Sequence, residues 1–103
     1  MIYKIKKGDT WPPIKGQLTR NNDVPIDISD SALYFKLEDI NGNVYLDNSA
    51  EIVDGPQGKV KYTWQPGDTD KIGVYKAYFY VLFDDGAKVT VPNVGTFDLK
   101  IIE

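Results

Sequence analysis

The sequence predicts an all-β domain of two packed antiparallel layers, on three observations. Val, Ile and Thr total 25 residues against 10 Ala plus Leu. Such β-branched side chains fit a pleated surface and lose rotamer freedom in a helix. Nine Gly and six Pro break the chain at short intervals, the pattern of many short strands joined by turns. Apolar residues recur with period two in several segments, and no stretch carries the helical period. A length of 103 residues fits one domain, spanning 1–103, with a core that needs no staples.

The elements follow in order. Ile2 to Lys6 forms a first strand, with Ile2, Lys4 and Lys6 on one face and Tyr3 and Ile5 on the other. Trp11-Pro12-Pro13 stops ladder pairing and marks a switch point, because proline lacks the N–H and restricts the residue before it. Ile14 to Arg20 resumes on the anchors Ile14 and Leu18, and Val24 to Ile28 is a short edge piece around Pro25. Ala32 to Glu38 alternates, with Leu33, Phe35 and Leu37 on one face. Asn41-Gly42 is a hairpin signal with both central residues expected at positive φ. Val44 to Asp47 returns, and Ala50 to Val53 continues the pairing.

Lys59 to Trp64 alternates again, with Val60, Tyr62 and Trp64 facing inward. Gly73 to Phe83 is the longest strand and the centre of the fold, with Tyr75, Ala77, Phe79, Val81 and Phe83 on one face. Asp84-Asp85-Gly86 turns it back into Ala87 to Val91, and Gly95 to Ile102 closes the domain after the Pro92-Asn93 break. Seven to nine strands of this kind make an immunoglobulin-like antiparallel β-sandwich. Asp70 to Tyr75 resembles the tyrosine corner of Greek-key sandwiches, and Ala77 stands where antibody-type domains carry their second cysteine. Phe35, Leu37, Tyr62, Trp64, Tyr75, Phe79, Phe97 and Leu99 are expected to share one core.

Composition narrows the chemistry. There is no Cys and no His, which removes disulfides, thiolate metal sites, cysteine nucleophiles and the usual neutral-pH base. Neither Ser29, Ser31, Ser49 nor any Thr lies in a G-x-S-x-G elbow. Most Asp residues fall in turns, where the carboxylate caps its own backbone, so the chain reads as no enzyme. Asp23, Asp27 and Asp30, with Asp68 and Asp70, are worth inspection for calcium, but no EF-hand loop is present. No cofactor or metal is expected. A net charge of -3 with Arg20 as the single arginine argues against a nucleic-acid partner. The longest dense apolar stretch, Val74 to Phe83, contains Lys76 and is far too short for a membrane span. Lys4, Lys6 and Lys7 read as guards of an edge strand.

One face is more aromatic than a solvated face requires. Val74, Tyr78, Tyr80 and Leu82 lie on the outer side of the longest strand, with Tyr34 on the neighbouring one. A covering segment, a protein interface and a carbohydrate platform all account for it. The residues singled out for a protein interface are Tyr3, Trp11, Pro12, Pro13, Tyr78 and Tyr80.

The ordered set Gly8-Asp9-Thr10, Pro25-Ile26-Asp27-Ile28, Ala32 to Leu37, Gly58 to Tyr62, Gly73 to Phe79, Asp85-Gly86, Thr90-Val91-Pro92 and Phe97 to Ile101 resembles the N-terminal immunoglobulin-like domain of phage baseplate upper proteins. These come from tailed phages and prophages of Gram-positive bacteria. The resemblance covers nearly the whole chain, with Trp11 and Trp64 where variable hydrophobics are expected. It implies a virion tail or baseplate structural protein, made in the host cytoplasm, whose domain docks a receptor-binding arm to the baseplate core. It implies other baseplate and tail proteins as partners, a homo-oligomer as one state of the full-length protein, and no catalytic residues. On this reading residues 1–103 are the N-terminal domain of a longer protein. The alternative is a carbohydrate-binding module for bacterial surface polysaccharide, stacking sugars on Trp11, Trp64, Tyr78 and Tyr80.

Overall fold

Nine strands make up the chain in a computed structural model that describes residues 2–19, 24–91 and 97–103; the side chains of Ile2, Val91 and Phe97 lie outside that description. They are β1 (Ile2–Lys6), β2 (Ile14–Gln17), β3 (Ala32–Glu38), β4 (Val44–Ser49), β5 (Glu51–Asp54), β6 (Lys59–Tyr62), β7 (Gly73–Leu82), β8 (Lys88–Val91) and β9 (Phe97–Ile102). The larger sheet has the order β1-β9-β7-β3-β4, with β8 also on β7, and the smaller has the order β2-β6-β5. Every pairing is antiparallel except β1 with β9, which is parallel. The architecture is an immunoglobulin-like sandwich.

Period-two alternation decides what each sheet buries. Leu33, Phe35 and Leu37 of β3 pair with Val81, Phe79 and Ala77 of β7, and all six are buried. The small sheet contributes Ile14, Val60 and Tyr62. Where the layers meet, the Phe35 ring stacks on Tyr62 at 4.7 Å, and Trp64 stands edge-on to both. The expected core is therefore found, except that the Phe97 side chain lies outside the described residues. Ala77 is fully buried, so apolar packing holds the sheets together where a related architecture uses a disulfide.

Several local expectations change. Val24 to Ile28 is an extended piece with a single bridge and not a full strand. Among the described residues it meets its neighbour at the Thr19–Pro25 bridge and through Ile26 N–H, which donates to the Leu18 carbonyl at 2.9 Å, while Ile26 and Ile28 bury their side chains in the core. Ala50 to Val53 does not continue the β4 pairing. The chain crosses at Ala50, and Glu51 and Ile52 of β5 pair with Lys61 and Val60 of β6. The Asn41-Gly42 turn does not have two positive-φ residues: only Gly42 does, at +84°. Gly42 N–H donates to the Asp39 carbonyl, and Asp39 N–H donates to that of Asn43. This is a three-residue loop ending in a left-handed glycine. Asp84-Asp85-Gly86 repeats it, with Gly86 at +90°.

The Trp11-Pro12-Pro13 segment is the switch point expected of it, since β1 belongs to the large sheet and β2 to the small one. Thr69 ties this connector to the β6–β7 loop. Its buried hydroxyl donates to the Asp9 carbonyl at 2.9 Å, and its own carbonyl accepts from Gly8 N–H.

Candidate functional site

The outer face of the large sheet gathers the aromatic residues expected there. Tyr34 and Tyr80 are direct partners across β3 and β7, and their rings stack at 5.0 Å and 19°. Tyr78 packs beside Tyr80 at 6.5 Å. Both rings are half-buried, covered by neighbours on the sheet itself. Lys88 lies 4.7 Å from the Tyr80 ring centroid and Lys36 lies 5.8 Å from that of Tyr78, within cation–π reach.

The hydroxyls are also occupied. Tyr78 donates to Glu38 Oε2 at 3.0 Å and Tyr80 to Asp47 Oδ1 at 2.8 Å. Partial burial, then the Asp47 carboxylate, push the Tyr80 phenol up to about 12. Burial likewise raises Tyr78, with Glu38 adding to it and Lys36 opposing it. The Tyr78 hydroxyl in turn holds Lys36 above the usual lysine range. This is a cross-linked layer of rings and charges.

The geometry bears on sugar stacking, which needs an open flat ring. Tyr34 approaches Tyr80 from the β3 side and Lys88 from the β8 side, so both ring faces are engaged. Trp64 is 2% exposed, inside the core as its alternation predicts. Among the described residues its buried indole N–H has no hydrogen-bond partner. Burial raises the Tyr3 phenol above its ordinary value.

The other interface candidates sit elsewhere. Tyr3 is half-buried, on the same side of its sheet as Ile5, and its hydroxyl donates to the Pro12 carbonyl at 3.1 Å. Pro13 is half-buried, Pro12 is exposed, and Trp11 is 77% exposed. Tyr3 and Tyr78–Tyr80 thus point to opposite faces of the large sheet, and the six residues do not form one patch.

Sequence reasoning missed a second apolar feature. Ile40, Val44, Ile72 and Val74 are all exposed, and together line a hollow of about 600 Å³ beside the β3–β4 turn. Tyr45 and Tyr75, stacked at 4.8 Å, also line it. Ile40 lies in the β3–β4 hairpin loop and Ile72 in the connection that crosses from β6 to β7, so no single periodic segment reveals the cluster.

Several of the turn aspartates accept from backbone N–H groups. Asp39 accepts from the N–H groups of Asn41 and Asn43, which hold its carboxyl below the usual range. Asp27 accepts from Ser29 N–H, and Asp68 accepts from the Tyr62 hydroxyl and from Gln65 N–H. Among the described residues no group of three or more His, Cys, Asp or Glu converges to hold a metal; Asp23 lies outside them. Among the same residues no helix is long and apolar enough to cross a membrane.

Sheet order, the parallel β1–β9 pair and the disulfide-free core define a class: a small immunoglobulin-like sandwich that offers faces and edges. Among solved structures the chain is similar to the N-terminal domain of phage TP901-1 ORF48, with 21% identity over 100% of this chain and 86% of that one, at a TM-score of 0.73. It is more distantly similar to CopC from Methylosinus trichosporium OB3b, with 14% identity over 97% of this chain and 82% of that one, at a TM-score of 0.50. No protein-family model matches the sequence, and no curated protein does.

Proposed function

We propose that the chain is a non-catalytic structural domain of a phage tail or baseplate, docking a receptor-binding arm to the baseplate core. The observation that carries this reading is the whole-chain likeness to the N-terminal domain of phage TP901-1 ORF48. It agrees with the resemblance carried by the sequence itself. The mechanism is rigid presentation: a core closed by Phe35, Tyr62 and Trp64 fixes faces and edges for neighbouring subunits. The occupied rings of the outer face favour a protein contact over a sugar platform, because shape and charge are available there and open ring faces are not.

The test is purification of virions from the phage or prophage that carries this reading frame, followed by mass spectrometry of tail fractions. The protein is expected in assembled particles, co-purifying with baseplate subunits. Its absence from intact particles overturns the reading.

A further inference from the structure

The edge of the large sheet beside β9 combines two unmet demands. The first is in the backbone. β1 ends its sheet, with β9 as its only strand neighbour among the described residues, so its outer edge is open to an added strand. The second is in the charge. Lys4 and Lys100 are direct Cα partners across β1 and β9. Ile5 and Ile101 are also partners and are buried, so Lys4, Lys6 and Lys100 share the outer face. All three are exposed, and none has an ion pair among the described residues. The nearby carboxylate of Asp98 is engaged by Lys76 at 3.5 Å. A like-charged cross-strand pair is destabilising, and here it sits in a chain of net charge -3.

Guarding an edge explains Lys4 and Lys6 but not Lys100, which lies on β9 between β1 and β7. The same lysines disfavour a second copy pairing β1 with β1 in the registers that bring Lys4 against Lys4 or Lys6. They admit a strand of opposite charge, so one set of side chains both rejects and selects.

We propose that β1 takes up an extended acidic segment of a partner protein as an added strand. Carboxylates at alternate positions lie opposite Lys4 and Lys6, with Lys100 one strand further in on the same face, and apolar residues between them lie on the side of Tyr3 and Ile5. The proposal rests on the docking reading for the existence of a protein partner, and it names that partner's chemistry. A nucleic acid or an anionic glycan has no peptide backbone to complete the edge.

The test uses the full chain and a fluorescein-labelled eight-residue peptide alternating Glu and Val. A peptide of the same composition in block order, a heparin oligosaccharide and a single-stranded oligonucleotide are the comparisons. Expected is saturable binding of the alternating peptide, weaker at higher salt, with amide shifts at Ile2–Lys6. Lys4→Glu with Lys100→Glu is expected to weaken it about tenfold or more, while Lys59→Glu on the opposite sheet leaves it unchanged. Circular dichroism checks the fold of each variant, and Lys4→Gln with Lys100→Gln gives a milder second pair. The proposal is overturned if the alternating peptide does not bind, if the block peptide or either polyanion binds as well, or if the charge-reversed variant binds normally. Those results leave virion incorporation untouched, whereas absence from virions overturns the docking reading whatever the peptide does.

Discussion

The Tyr75 hydroxyl donates to the Lys71 carbonyl oxygen at 2.9 Å, closing the corner through which the chain enters its longest strand. The ring is buried and stacks on Tyr45, so one side chain packs the end of the core and fastens the preceding loop. Burial, then the nearby Tyr45 and Asp39, raise its phenol and keep the donor protonated.

Removing that donor isolates the corner bond. Tyr75→Phe keeps the ring and leaves the Lys71 carbonyl without its partner. A loss of about 1 kcal/mol in urea unfolding is expected. No change in midpoint places the corner's stability in the ring alone.

Phe79 tests the core. It pairs with Phe35 across β3 and β7, and their rings lie 5.0 Å apart. Phe79→Ala is expected to cost about 3–5 kcal/mol, from lost burial plus the cavity left behind. Denaturant titration measures it, and a loss under about 1 kcal/mol is incompatible with a core position.

Alkaline pH loosens the fold through its tyrosines. Burial, with Asp68 adding to it, raises the Tyr62 phenol well above the usual phenol range, and Tyr80 is pushed up to about 12. Once pH passes the unfolded value of 10.0, the folded chain holds protons that the unfolded chain releases. The stability these groups contribute is present in full below that pH, and is lost as pH rises through the folded values. Thermal melts from pH 8 upward are expected to fall beyond pH 10. Tyr62→Phe, which cannot ionise, is expected to show a shallower alkaline decline at the cost of a lower starting stability.

Two glycines of the same backbone type separate strain from space. Gly42 has φ of +84° with open space where a Cβ would stand. Gly58 has φ of +67°, and a Cβ there would lie 2.6 Å from the Leu18 carbonyl oxygen and 2.7 Å from that of Ile26. Gly42→Ala is expected to cost about 1 kcal/mol from conformation alone. Gly58→Ala is expected to cost clearly more, because backbone must move as well. Equal melting temperatures for the two variants contradict this.

The strands were legible because a half-buried sheet imposes a period of two, and β3, β6 and β7 carry it without interruption. The switch at Pro12-Pro13 was legible because proline cannot donate to a ladder. Residues 24–28 pair at a single bridge only, and their apolar pattern did not show this, because buried loop residues such as Ile26 and Ile28 are as apolar as strand residues. Of the candidate interface residues, the outer placement of Tyr78 and Tyr80 could be read from pattern. The engagement of Tyr80 by Tyr34 and Lys88 could not, since those contacts come from strands β3 and β8.

The sequence by itself determined the all-β class, the inward side of each main strand and the lack of histidine and cysteine chemistry, because these follow from residue type and local period. Only the tertiary structure decided that β5 joins the small sheet, that four exposed aliphatics share one hollow, and that Lys4 lies against Lys100. Those relationships depend on which strands become neighbours across the fold, and hydrogen-bonded pairing between distant segments leaves no local mark on either one.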